Sequence, residues 1–157
     1  MDIPTCTEYV KPDRRCDALG EGRIYRVDFG TLDHARTFDD WTLACAAARA
    51  FGETRVWRTS QLLCWTLLPD RWHGLVRLAG LDSLPILVAR LKAVAAGSVN
   101  LAAGRSGAVW ARGCHERAVR PDEDCAAIAR DIVREPVRAG LCRRVGEYPF
   151  WDASWLA

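Results

Sequence analysis

The triplet Arg71-Trp72-His73 carries the side chains of this chain best suited to chemistry. It follows Leu67-Leu68-Pro69-Asp70, so it reads as the opening of a strand after a tight Pro-Asp turn. Side-chain direction repeats every two residues along a strand, so positions 71 and 73 share one face and Trp72 points into the core. Two imidazoles at such positions would make a divalent-metal site. His73 supplies one, but position 71 holds an arginine. The spacing therefore offers half a metal site with a fixed cation beside it.

The elements that must position this triplet follow from periodicity. Residues 1–22 are polar and read as an irregular arm, 23–145 as the domain, and 146–157 as an aromatic tail that packs back on it. Arg23 to Phe29 alternates and predicts a strand. Trp41, Leu43, Ala44, Ala47 and Ala48 predict a helix over 38–51, capped by Asp39 or Asp40 and ended by Gly52. Arg55-Val56-Trp57 reads as the start of a strand region that resumes at Leu62 and runs to Leu68, antiparallel to 72–78. Ser83 caps a helix with Leu84, Leu87, Val88, Leu91, Val94 and Ala95 on its apolar face, and Arg90 and Lys92 elsewhere on it. Gly104 to Gly107 breaks the chain, and 109–112 and 115–120 read as a short strand region. Pro121-Asp122-Glu123-Asp124 opens a last helix with carboxylates at its positive end, perturbed or ended at Pro136. This order predicts an α+β, ferredoxin-like split βαβ fold: an antiparallel sheet with helices packed on one face.

Composition narrows the function classes. The 157 residues suffice for one domain with a substantial core, and half are hydrophobic, which excludes a disordered chain. No run approaches the ~18 uninterrupted apolar residues of a membrane span. The N-terminus lacks the pattern of a signal peptide, so the expected location is the cytoplasm. A net charge of +2 does not by itself argue for nucleic acid. Only Lys11 and Lys92 are lysines; the other basic residues are arginines, whose planar fork suits phosphate, although a GC-rich genome also favours arginine. Seven scattered cysteines without a C-x-x-C pair disfavour a zinc module or a disulfide framework, and Cys45, Cys64 and Cys125 read as small core residues.

Four ordered stretches carry a resemblance. Cys64-Trp65-Thr66-Leu67-Leu68-Pro69-Asp70-Arg71-Trp72-His73 resembles the signature W-x-L-M-P-D-H-x-H of the REP-associated tyrosine transposases. These are relatives of the single-tyrosine insertion-sequence transposases with a His-hydrophobic-His motif. Gly107 to Ala118, Asp131 to Leu141 and Val145 to Asp152 resemble three further motifs of that family, in order and at the right spacing. The match runs from about Arg23 to the C-terminus.

The resemblance implies a chemistry. Two histidines and a polar residue on the last helix would hold Mg²⁺ or Mn²⁺, which polarises a scissile DNA phosphate. A tyrosine one turn before that polar residue would attack it, leaving a 5′-phosphotyrosine. Here the first histidine position is Arg71 and His73 remains, the tyrosine position is Asp131, and the third ligand position, normally Asn, is Glu135. Asp131 or Tyr25 could serve as an unusual nucleophile, and His73 with Glu135 could still hold Mg²⁺ or Mn²⁺. The preferred expectation is that Arg71 sits between Asp131 and Glu135 and neutralises the pocket without a metal. Strand cleavage is then lost and DNA binding remains, the DNA being a hairpin or single-stranded. An active nuclease, or an interaction protein that binds no DNA, are the alternatives. Candidate DNA contacts are Arg71, Arg90, Lys92, Arg105, Arg112, His115, Arg117, Arg120, Arg134 and Arg138, extended by Arg143 and Arg144. No membrane partner is expected.

Overall fold

Alternation in three apolar strands builds the centre of the molecule. The structure, a computed structural model, describes residues 22–154. The expected N-terminal arm, and with it Cys6 and Cys16, lies outside the described residues. Strands β1 (Arg23–Gly30), β2 (Gln61–Leu68), β3 (Arg71–Leu78), β4 (His115–Ala118) and β5 (Trp151–Ala153) form an antiparallel sheet in the order β4-β1-β3-β2-β5. Asp28 pairs with His73 across β1 and β3, and Leu68 pairs with Arg71 across the Pro-Asp turn. The α+β antiparallel fold expected from the sequence is present.

The helices divide between the two faces, which corrects the one-face expectation. Helices α1 (Trp41–Phe51) and α3 (Leu84–Ala103) share a core with Val27, Phe29, Leu67, Trp72 and Val76. Helix α4 (Cys125–Val133) covers the other face, where Ile24, Leu63, Cys64 and Leu75 pack on Ala129, Ile132 and Val133. An amphipathic helix buries its stripe against whichever apolar face is open, and both faces of this sheet are apolar in part. Burying each such aliphatic side chain stabilises the fold by roughly 1.5–3 kcal/mol. Cys125 is buried as expected but is disulfide-bonded, not a free thiol.

Local chemistry sets the ends of the elements. Asp40 caps α1, accepting from the Leu43 N–H at 3.1 Å, and Gly52 ends it. Ser83 precedes α3 without a side-chain cap, and Pro85 sits in the first turn, where no N–H is needed. By length and composition α3 could cross a membrane, yet its Leu87, Val88, Leu91, Ala95 and Val99 are buried in the α1 core.

Residues 55–57 correct the strand expectation. They belong to a short helix, α2 (Thr54–Trp57). Trp57 Nε1 donates to the Phe51 carbonyl at 2.7 Å, and the Val56 carbonyl accepts from Arg90 Nε at 2.6 Å. Tertiary burial, not strand pairing, explains the apolar pair. Residues 109–112 run beside the end of β1 with a single bridge from Thr31 to Trp110, and only His115–Ala118 is a regular strand.

The aromatic segment before β5 is tied to β2. Tyr148 OH donates to the Leu67 carbonyl at 2.6 Å, and burial pushes the phenol up to about 12. Tyr148→Phe removes one hydrogen bond and leaves a buried carbonyl short of a partner. The expected cost is about 1 kcal/mol in urea denaturation, with an unchanged m-value.

Candidate functional site

On the α4 side of the sheet, β1 contributes Arg26 and Asp28 and β3 contributes His73, because these positions alternate with the buried Val27, Phe29 and Trp72. Pro136 cannot continue a helix through its missing N–H, so α4 stops at Val133 and a short helix, α5 (Glu135–Arg138), restarts after Arg134. Asp131 and Glu135, four residues apart across this junction, both come down on Arg26.

The geometry is a closed network. His73, only 4% exposed, places Nδ1 2.5 Å from Glu135 Oε1 and accepts at Nε2 from Arg26 Nε at 2.9 Å. Guanidinium can only donate, so Nε2 is bare and the ring proton sits on Nδ1, pointing to Glu135. Arg26 also meets Asp131 Oδ2 at 3.0 Å and approaches Glu135 Oε1 at 3.8 Å. Arg138 takes the other Asp131 oxygen and donates to the Asp131 carbonyl at 2.6 Å.

Electrostatics follow from these contacts. The Arg138 hydrogen bond holds the Asp131 carboxyl below its ordinary range; burial opposes it and Arg26 adds to it. Burial pushes Glu135 up, but the His73 hydrogen bond and the Arg71 and Arg138 charges outweigh it and leave the group lowered.

Arg71 does not take the position expected of it. It is exposed and makes no ion pair among the described residues, and it acts on Glu135 only at longer range. Arg26 lies between the carboxylates instead. Sequence reasoning passed over Arg26: its alternation with apolar neighbours marks a strand face, but the acids that meet it come from an element distant in the sequence.

A divalent ion does not fit this donor set. Both nitrogens of His73 are engaged, and both Asp131 oxygens are held by arginines. Glu135 Oε2 is buried without a partner, but one free oxygen is not a chelate. No group of three or more His, Cys, Asp or Glu among the described residues is arranged to hold a metal. A divalent ion about 4 Å from a guanidinium would be opposed by roughly 8 kcal/mol at an effective dielectric of about 20.

Among the described residues no tyrosine lies beside this site. Tyr25 packs against the α1–α3 core, on the face opposite His73, and Tyr148 is held by Leu67. Asp131, clamped by two guanidiniums, is a poor nucleophile.

The other expected contacts separate into three groups. Arg90 is bound to Asp82 at 2.9 Å and to the Val56 carbonyl, and Lys92 donates to the Ala111 and Gly113 carbonyls and lies over the Phe29 ring. These two hold α3 to its neighbours. Arg71, Arg105, Arg112 and Arg134 are exposed, and their guanidiniums have no hydrogen bond or ion pair among the described residues. Arg117 pairs with Glu123 at 3.0 Å and Arg120 with Asp122 at 3.5 Å. Arg26, His73, His115 and Arg117, with Asp28 and Glu116, line a cavity of about 260 Å³.

No protein-family model matches the chain, and no curated protein matches it. Among solved structures, a REP-associated tyrosine transposase bound to a REP hairpin aligns with a TM-score of 0.61 and 18% identity, over 96% of this chain and 82% of that one. A protein of Deinococcus radiodurans R1 assigned as a transposase aligns with a TM-score of 0.47 and 15% identity, over 88% of this chain and 95% of that one. The first likeness establishes a shared fold.

Proposed function

We propose that this chain, which carries the fold of a REP-associated tyrosine transposase, is a cytoplasmic DNA-binding protein that does not cleave DNA. The observation that carries this reading is Arg26, whose guanidinium fills the space between His73, Asp131 and Glu135. A guanidinium there offers no coordination position for a water or a scissile phosphate, and this one is already engaged by His73, Asp131 and Glu135, so it does not supply the chemistry of a metal. The scaffold then retains shape and surface charge but not the reaction. The aligned transposase was solved with a REP hairpin, which supports a hairpin or a single-stranded tail as the DNA bound here. Arg71, Arg105, Arg112 and His115 are exposed candidates for phosphate contacts.

The test uses a labelled DNA hairpin with a single-stranded tail, incubated with purified protein and Mn²⁺. The expected outcome is a mobility shift that weakens steeply with salt, with no covalent adduct and no nick. An adduct or a nicked strand overturns the loss of cleavage. No shift at low salt overturns DNA binding.

A further inference from the structure

Three arginines follow one another at four-residue steps along α4 and α5: Arg130, Arg134 and Arg138. With Ala127 and Asp131 they line an open groove of about 470 Å³. Arg138 is committed to Asp131. Arg130 and Arg134 are exposed, and neither guanidinium has a hydrogen bond or ion pair among the described residues. Like charges four residues apart on a helix repel by a few tenths of a kcal/mol. Asp131, the one acid lining the groove among the described residues, cannot relieve this, because Arg26 and Arg138 hold both its oxygens.

We propose that Arg130 and Arg134 form a clamp for backbone phosphates of bound DNA. This rests on the DNA-binding reading above and assigns one place where the strand is held. The small Ala127 side chain keeps the groove open. Each guanidinium fork matches two phosphate oxygens. Among the described residues no aromatic side chain lines the groove, so none of them stacks a base there, and the arginine contact is indifferent to sequence. The groove meets the cavity of His73, His115 and Arg117 across the Arg26–Asp131 ion pair, so one strand can touch both.

The experiment is fluorescence anisotropy with a fluorescein-labelled hairpin carrying a single-stranded tail, titrated at several NaCl concentrations. The variants are Arg130→Gln/Arg134→Gln and, as a charge-matched control on the α1–α2 side, Arg49→Gln/Arg58→Gln. The first is expected to weaken binding about tenfold at low salt and to reduce the slope of log K against log salt by about 1.5, with an unchanged or higher Tm. The control leaves that slope near wild type. Wild-type binding with an unchanged slope in the first variant overturns the clamp and leaves DNA binding standing. Equal losses in both variants overturn it in favour of net charge. Absence of wild-type binding removes both proposals together.

Discussion

Arg26→Gln lowers the free energy of unfolding by about 2–3 kcal/mol at neutral pH, read from urea denaturation. Removing one member of a buried ion pair typically costs about 3–5 kcal/mol, because the partner charge stays buried. The Arg26 and Asp131 side chains are 29% and 41% exposed, so solvent screens part of that loss; Glu135, at 15%, feels most of it. Combined with Arg138→Gln, which removes the guanidinium still held on Asp131 and 3.9 Å from Glu135, the change frees His73 Nε2 and both Asp131 oxygens and assembles an imidazole and two carboxylates. Mn²⁺ at about 1 mM is then expected to raise the Tm of the double variant by several degrees and to leave the wild type unchanged. A wild-type Tm that rises with Mn²⁺ sinks the idea that Arg26 stands in the place of a metal.

Acid separates the two proteins in a defined window. Asp131 and Glu135 are held below their ordinary values of 3.8 and 4.5. For carboxylates lowered by folding, the stabilisation is complete above the ordinary value and disappears as pH falls through the folded one. The wild type therefore loses this contribution below about pH 4.5 as the two carboxylates protonate. The Arg26→Gln variant has less to lose at Asp131, so the stability difference between the two narrows on acidification. A gap that stays constant between pH 7 and pH 3 contradicts the ion-pair account.

The meeting of residues 73, 131 and 135 was expected from the resemblance alone, because hairpin register and helical spacing are local and do not say which strands the last helix covers. What completes the site was not. Position 71 stood out because it departs from a motif, while Arg26 departs from nothing. Its role depends on β1 lying between β3 and β4, a non-local pairing that leaves no mark in the periodicity of 23–30. The division of helices between faces was hidden for the same reason: the stripe Ala129, Ile132, Val133 fits either side of a sheet. Val56 and Trp57 misled in the opposite sense. Their strand-like types serve burial beneath α3, where side-chain bonds from Trp57 and Arg90 fix a single helical turn.

Glycine-to-alanine substitution is expected to have opposite signs at Gly74 and Gly97, and the reason lies in Trp72. A Cβ at Gly74 would fall 2.3 Å from Trp72 Cη2 and 2.6 Å from Cζ2. The indole cannot yield, because it is fully buried, stacked on Phe29 at 5.0 Å and packed on Phe51 at 5.3 Å between ring centroids. Forcing a methyl into so tight a place costs about 2–3 kcal/mol and lowers Tm by roughly 5–10 °C for a chain of this size. Because Trp72 lies between Arg71 and His73, relief by backbone movement in β3 also loosens the His73–Glu135 contact. Gly97 sits inside α3 with nothing within 4 Å of its added Cβ. There the methyl meets no neighbour and only restricts the unfolded chain, so Gly97→Ala gains about 0.5–1 kcal/mol. Urea denaturation of both variants decides the matter: wild-type stability in Gly74→Ala would mean that Trp72 is not wedged over the strand and does not brace the face that carries His73.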